Sequence, residues 1–285
     1  MPFRTVALTL IWIVGLAVAT QAADAPPTKL KLRSTSSPEL TPATAVAQPP
    51  AGAPATYKEP YTGMEFVFVK GGCYQMGDTF GEFPTDAKVD PHDVCLSDFW
   101  IGKYEVTQGE WIKVMGDNPS YNVKCGKDCP VENMTWKDAV AFTNKYRKYS
   151  EKSFRLPTEA EWEFACRSGG KKEKFCGGDT LEEIDVNGDI SVKKTLPVGS
   201  RQPNGLEIYD MNDNASEWCL DWYNLDYYKT SPKDNPRGPA QGWNRVIRGS
   251  DGKATDLSAR AAFRSGAAPD SQIRTNGLRV LFTPQ

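Results

Sequence analysis

The chain of 285 residues is long enough for one large domain or two small ones. Its 34 basic and 36 acidic side chains give a net charge of −2 and are mixed along the chain, without a basic stripe or an acidic tail. This balance does not favour binding to nucleic acid or to an anionic membrane surface. His92 is the single histidine, which excludes most histidine-based catalysis.

Residues 1–22 have the features of a secretory signal. Arg4 supplies the positive start, an apolar run covers residues 6–18, and small residues lead to a cleavage site after Ala22. The run is short for a membrane span, although an uncleaved anchor helix is the alternative. We therefore expect a periplasmic or secreted protein with no membrane span after cleavage. Residues 23–56 are rich in Pro and Ala, and we expect a disordered linker because such a segment buries too little surface to offset its ordering entropy.

The folded domain is expected over residues 57–285. A first strand is predicted at 64–72, where aromatic and β-branched residues alternate before two glycines, and a second at 99–106. Three helix starts follow, each marked by a threonine with an acid three residues later, which is the pattern of a capping box. The three pairs are Thr107 with Glu110, Thr135 with Asp138, and Thr158 with Glu161.

Two glycines, Gly169 and Gly170, are expected to end the third helix. After residue 170 the helical periodicity disappears, and turn residues are interrupted only by short apolar stretches. A few helices inside a long, loop-rich and weakly stranded chain predict a single α+β domain.

The seven cysteines are treated first as disulfide candidates, because an exported protein folds in an oxidising compartment. Spacing alone does not fix their connectivity. The candidate pairs are Cys125 with Cys129, Cys73 with Cys95, and Cys166 with Cys176. Cys219 lies between Trp218 and Leu220 and is expected to be a buried free thiol. A zinc site is disfavoured because the spacing is C-x3-C and no second cluster accompanies it.

Seven stretches then stand in a fixed order. They are G-G-C-Y-Q-M-G-D (71–78), I-G-K-Y-E-V-T-Q-G-E-W (101–111), C-P-V-E-N-M-T-W-K-D-A (129–139), R-L-P-T-E-A-E-W-E-F-A (155–165), P-V-G-S-R-Q-P-N-G-L-E-I-Y-D-M (197–211), R-V-I-R-G-S (245–250) and N-G-L-R-V (276–280). In this order the chain resembles the formylglycine-generating, or sulfatase-modifying factor, family over roughly residues 60–283. The resemblance implies an irregular, loop-rich α+β domain with a C-type-lectin-like fold.

The resemblance also implies a structural calcium site. Its ligands would be the Asp210 side chain, the backbone carbonyls of Asp213 and Ala215, and Glu217, an oxygen set that suits a hard cation. Asp213 stands where the family has glycine, so its backbone must reach the required conformation with a side chain attached. The alternative is a polar turn held by Asx hydrogen bonds. An EF-hand loop is excluded because Ala215 stands where that loop needs glycine.

Catalysis is not expected to follow the family. Active members oxidise a substrate cysteine with a copper-binding pair of cysteines after the R-x-G-S segment, but residues 249–264 contain no cysteine. Copper(I) needs thiolate ligands. The related sulfoxide synthases hold iron with three histidines, which one histidine cannot supply. We therefore expect neither copper nor iron, and no catalytic residue is assigned.

Two hypotheses of function remain. The first is a non-catalytic binding or accessory module of the cell envelope that recognises a peptide, a glycan or an envelope protein. The second is an enzyme of the same superfamily with non-standard chemistry that assists the maturation of an exported protein. Either function would use a polar ligand groove, although such side chains are more often solvated loop residues. The candidate groove residues are Ser250, Asp251, Asp256, Arg260 and Arg264.

Overall fold

The computed structural model describes residues 55–87, 89–184, 195–250 and 256–284. The predicted signal at 1–22 and all but the last two residues of the predicted linker at 23–56 lie outside these ranges. The elements follow one another as β1 (Thr56–Lys58), β2 (Glu65–Val69), β3 (Cys73–Met76), β4 (His92–Cys95), β5 (Phe99–Gly102), α1 (Gln108–Met115), α2 (Trp136–Tyr146), α3 (Glu159–Cys166), β6 (Ser216–Tyr223), β7 (Asn244–Arg248), α4 (Asp256–Ala259), β8 (Ser265–Ala267), β9 (Asn276–Gly277) and β10 (Leu281–Phe282). Short 3-10 turns lie at Thr85–Ala87, Val123–Cys125 and Tyr227–Lys229.

The strands form two four-stranded sheets and a hairpin. The first sheet is antiparallel in the order β1-β2-β5-β10, so the first and last strands of the domain lie at its two edges. The second has the order β8-β7-β6-β9, with β9 parallel to β6. Strands β3 and β4 pair with each other. Long loops connect these elements, which confirms the predicted irregular α+β fold.

Alternation along the strands divides the core between two faces. In β2 the side chain of Phe66 packs with helices α1 and α2, whereas Val67 and Val69 pack with α3. In β6 the neighbouring Trp218 and Cys219 separate in the same way. Successive residues of a strand point to opposite faces, so each sheet contributes to both halves of the core.

The three predicted helix starts are confirmed. The threonines at positions 107, 135 and 158 each accept a hydrogen bond from the backbone N–H three residues later, and the acid there accepts one from the threonine N–H. Both glycines predicted to end α3 adopt positive φ, and their N–H groups donate to the Phe164 carbonyl. No helix within the described ranges is long and apolar enough to cross a membrane.

The strand predicted at 99–106 is shorter than expected. It ends at Gly102, where an added Cβ would lie 2.9 Å from the Tyr104 carbonyl oxygen, so the chain bends sharply here. The bend carries Glu105 into the interior, where its side chain is 1% exposed. The segment after the strand is also buried, so the sequence pattern does not mark where the strand ends.

The predicted disulfides are confirmed. The structure links Cys73 to Cys95, Cys125 to Cys129, and Cys166 to Cys176. Cys219 is free and fully buried, as expected. Three disulfides fit a protein of an oxidising compartment outside the cytosol or in the cell envelope.

Buried ion pairs connect α3 to the C-terminal third of the chain. Arg264 holds Glu159 through two hydrogen bonds of 2.7 and 2.6 Å. Arg248 reaches Glu159 at 3.1 Å and Glu163 at 2.7 Å, and Arg167 holds the other oxygen of Glu163 at 2.9 Å. None of these five side chains is more than 7% exposed. The position of α3 is therefore fixed by charge as well as by apolar packing.

Replacing Glu163 by glutamine should destabilise the fold strongly. The substitution leaves the buried Arg248 and Arg167 without a carboxylate they share, and breaking such a pair typically lowers the free energy of unfolding by about 3–5 kcal/mol. Urea denaturation measures the loss. As a control, Lys58→Ala removes an exposed ion pair with Glu65 and should change the same quantity by less than about 1 kcal/mol. Equal, small losses in both variants would contradict the prediction.

Candidate functional site

The predicted groove residues are only partly available to a ligand. Arg264 is bound inside the core, with Glu159 on one side and the ring of Tyr228 at 4.2 Å. Arg260 pairs with Glu82 and is 10% exposed. Arginines in a polar loop are usually solvated, but here each meets a carboxylate contributed by a distant segment. Each of these two arginines therefore ties distant segments of the chain together, and the shared groove stays a prediction.

Of the remaining groove predictions, Ser250 lies wholly within the described residues. Ser250 is buried, and its Oγ lies 3.5 Å from that of Ser258. Asp251 and the side chain of Asp256 fall outside the described residues. Two surface clefts of about 400 and 380 Å³ lie elsewhere. The larger is lined by Tyr104, Thr107 and Glu110 among others, and the smaller by Gln75, Thr79, Pro91 and residues 170–172. The predicted groove residues line neither cleft.

Asp221 belongs to the buried charge cluster next to α3. Its Oδ2 accepts a hydrogen bond of 2.9 Å from the Glu159 N–H. Burial and the nearby charge of Glu159 raise the pKa of Asp221 to about 8. Glu159 behaves differently: burial opposes its charge, but Arg264 and Arg248 hold its pKa below the usual value. The cluster therefore keeps Glu159 ionised and Asp221 largely protonated at neutral pH.

The loop between residues 210 and 217 is built from side-chain contacts to other segments. Asn212 bonds the backbone N–H and carbonyl of Cys176. The Asn214 amide donates a hydrogen bond of 2.6 Å to Glu105, and the Asp210 carboxylate accepts a hydrogen bond of 2.6 Å from the Gly199 N–H. The backbone takes positive φ at Asp210 and Asn214 (62° and 78°), and not at the position where the family has glycine. Asparagine and aspartate tolerate this conformation better than most residues, so the loop forms without that glycine.

The predicted calcium ligands are placed unequally. Glu217 accepts hydrogen bonds from Trp162 Nε1 at 2.8 Å and from Arg279 at 2.7 Å, so protein donors already occupy both of its oxygens. The Asp213 side chain pairs with Arg201 at 3.0 Å. Asp210 uses one oxygen for the Gly199 N–H. Asp210 thus has more oxygen left to bind a cation than Glu217 has.

Three buried carboxyl groups lie beside this loop. Glu105, Asp210 and Glu217 are at most 6% exposed, and the guanidinium buried among them is that of Arg279. Burial raises the pKa of Asp210 to about 6, and the charges of Asp213 and Glu217 add to the effect. Burial also raises the pKa of Glu105 well above its usual value. Among the described residues no three Asp, Glu, His or Cys side chains are arranged to hold a metal ion, so a hard cation at this loop would depend on the Asp210 carboxylate and on backbone carbonyls.

The cysteines do not fit a copper centre. All seven lie within the described residues, and six of them form disulfides. Cys219 is 0% exposed, and burial raises the pKa of its thiol well above the usual value. A buried, protonated single thiol cannot provide the pair of thiolates that a soft copper(I) ion needs.

Several residues of this site were not identified from the sequence. Glu105, Arg248 and Arg279 were not selected because the partners that give them a role lie far along the chain. Arg279 donates a hydrogen bond to Glu217, 62 positions away in the sequence, and Glu105 accepts one from the Ala215 N–H, 110 positions away. A signal was present in α3, because the acids at 159, 161 and 163 alternate with apolar residues. No helix can keep side chains with that spacing all on its solvent face.

The sequence model of the sulfatase-modifying factor enzyme 1-like domain matches residues 52–284. The chain belongs to this family. A formylglycine-generating enzyme of Streptomyces coelicolor is 30% identical, with 82% of this chain and 95% of that protein aligned. Chaperone protein LppX of Paenibacillus barcinonensis is also 30% identical, over 74% of this chain and 88% of that protein.

Solved structures agree with this membership. Treponema denticola variable protein 1 superimposes with a TM-score of 0.72 and 29% identity, covering 81% of this chain and 100% of that one. PvdO from Pseudomonas aeruginosa superimposes with a TM-score of 0.69 and 25% identity, covering 81% and 99%. The sulfatase-modifying factor fold thus spans the described domain, and the C-type-lectin-like expectation is confirmed.

The Asp221→Asn variant should change how stability depends on pH. The folded-state pKa of about 8 lies above the ordinary 3.8, so the native state holds a proton that the unfolded chain releases. Wild-type stability should therefore fall, on the order of 4 kcal/mol, as pH rises from 4 to 7, and this contribution should be absent from the variant. Denaturant unfolding of both proteins across this range measures the difference. Parallel pH profiles would contradict the assignment.

Proposed function

We propose that this chain is a non-catalytic accessory module of the cell envelope. In this proposal residues 1–22 direct export, and the folded domain binds another exported protein in the periplasm or outside the cell. The state of the cysteines carries the proposal, since a family member without an available thiolate pair lacks the group that oxidises a substrate cysteine. A fold kept intact around altered chemistry is a common route to a new function.

Two further observations support an accessory role. A relative with 30% identity over most of its length is named a chaperone protein. The three disulfides are compatible with export, because such bonds persist in oxidising compartments. The binding surface would then lie on the long loops that connect the short helices and strands of this fold.

We also propose that calcium orders the loop at residues 210–217. The Asp210 carboxylate and the carbonyls of Asp213 and Ala215 would supply oxygens, with Glu217 shared between the ion and Arg279. The raised pKa of Asp210 supports this, because burial disfavours the ionised carboxylate and a cation bound there would offset that cost. The ion would supply structural order and no chemistry.

The non-catalytic proposal predicts no conversion of a substrate cysteine. The mature protein, loaded with copper(I), should leave a sulfatase-type cysteine peptide unmodified in mass spectrometry. The Streptomyces coelicolor enzyme serves as the positive control. Copper-dependent aldehyde formation above the rate of copper alone would overturn the proposal.

A matched variant extends this test to the cell. Cys219→Ser should complement a deletion of the gene as well as the wild type does, as judged by the abundance of exported proteins, because the buried thiol has no catalytic role. A folded Cys219→Ser protein that fails to complement would show that the thiol is used.

The calcium proposal predicts a metal-dependent melting temperature. At a hundredfold excess over its Kd, a ligand that binds only the folded state adds roughly 2.7 kcal/mol of stability. Chelation should lower the melting temperature and calcium should restore it, and Asp210→Asn should abolish that response. Glu217→Gln should be less stable with and without calcium, because it leaves the buried charge of Arg279 without its carboxylate partner. If neither chelator nor calcium moves the wild-type melting curve, the polar-turn alternative holds.

A further inference from the structure

Burial decreases along β7 toward the residue that precedes it. Ile247 is buried at 5% exposure, Arg245 is half-buried, and Trp243, in the bend directly before the strand, is 91% exposed. Arg245 and Ile247 are two apart in the strand and share one face, and Trp243 stands only two residues before Arg245. Burial of a large indole is normally favourable, which makes a tryptophan left almost entirely in water a feature to explain.

Arg245 is fixed between two indole rings. Its guanidinium carbon lies 3.4 Å from the ring centroid of Trp222 and 3.7 Å from that of Trp136. Nη1 donates a hydrogen bond of 2.7 Å to the Leu220 carbonyl. Stacking on both faces and one backbone bond hold the guanidinium in a single orientation. The arginine next to the exposed tryptophan is therefore already ordered before any partner arrives.

The charge of Arg245 has no carboxylate partner in the part of the chain that the structure describes. Its Nε is buried without a hydrogen-bond partner. Burial lowers the pKa of Arg245, and Asp221, itself largely protonated at neutral pH, is the acid that opposes this effect. The other core arginines, such as Arg248 and Arg264, are each matched by a carboxylate at 3.1 Å or less. Arg245 thus differs from them in keeping an uncompensated positive charge at the surface.

These features define what would bind here. Tryptophan and arginine are the residues that most often dominate protein–protein affinity, and a fixed guanidinium pairs best with a carboxylate. Trp243 and Arg245 are two residues apart, so their Cα atoms are separated by at most about 7 Å, a distance that alternate side chains of an extended partner can span.

We propose that Trp243 and Arg245 form a docking surface for an extended segment of an exported protein in which an apolar side chain stands two residues from an aspartate or glutamate. The apolar side chain stacks on Trp243, and the carboxylate pairs with Arg245. The inference deepens the proposed accessory function and rests on it, because it assigns the chemistry of the partner that such a module binds.

Short fluorescently labelled peptides with a central Phe-Thr-Glu test the surface by anisotropy. The wild-type domain should bind this peptide saturably. Replacing Glu by Gln or Phe by Ala in the peptide should raise Kd at least about tenfold, as should Trp243→Ala or Arg245→Gln in the protein. Tyr121→Ala, which removes another exposed aromatic side chain, should leave Kd unchanged. Trp243→Ala should also keep the wild-type melting temperature, since the indole is exposed, so a loss of binding there cannot be ascribed to unfolding.

Three results of the peptide assay would each overturn the docking surface. They are an absence of saturable binding to the Phe-Thr-Glu peptide, equal affinity for the Glu and Gln peptides, and an unchanged Kd in Trp243→Ala. Binding to phosphatidylglycerol–phosphatidylethanolamine vesicles that Trp243→Ala abolishes would instead assign the surface to a membrane, and would also overturn it. Peptide binding together with copper-dependent aldehyde formation would leave the surface standing and overturn the non-catalytic function alone.

Discussion

The core is organised around two carboxylates of one short helix. Glu159 and Glu163 lie on α3, whose residues are all buried, and neither can be hydrated there. Burying such charges is tolerated only when cations and hydrogen bonds compensate them. Arg248 and Arg264 supply this compensation, and they bring β7 and the segment after α4 against the helix. A loop-rich domain with short strands thereby acquires a definite arrangement without extensive regular structure.

A second buried charge pair joins further segments of the chain in the same way. Glu217 at the start of β6 and Arg279 near the C-terminus join the second sheet to the segment that leads into β10. The pair is fully buried, and Arg279 also donates to the carbonyls of Gly102 and Tyr209. Since these interior contacts hold the fold, residues in the outer loops can change without loss of structure. The absence of the family's copper-binding cysteines is compatible with the intact scaffold for this reason.

Features that depend on neighbouring residues were predicted well from the sequence. The capping boxes at Thr107, Thr135 and Thr158 are set by an acid three residues away, so all three were predicted. The three disulfides were also proposed as candidate pairs, since their cysteines lie at most 22 residues apart. The family membership was predicted from seven motifs in a fixed order, and no single helix or strand would have been enough to predict it.

Features that depend on distant residues were not predictable in the same way. The pairing of Arg264 with Glu159 was not predicted, because the two residues lie 105 positions apart and nothing local indicates it. The strand predicted at 99–106 is too long, because the sequence does not show that the chain bends after Gly102 or that Glu105 is buried there. Trp243 gave no signal either, since composition alone does not distinguish an exposed indole from the buried indoles of Trp111, Trp162 and Trp218.

The positions of the charge pairs along the chain impose an order on biosynthesis. Synthesis runs from the N-terminus, so the acids of α3 and β6 leave the ribosome before Arg248, Arg264 and Arg279 exist. Until those arginines arrive, closing the core would bury carboxylates without counterions. Stable closure of the core therefore requires the segments that carry these three arginines. A fragment that stops before residue 248 would lack all three, and we expect it to stay open and be degraded by proteases.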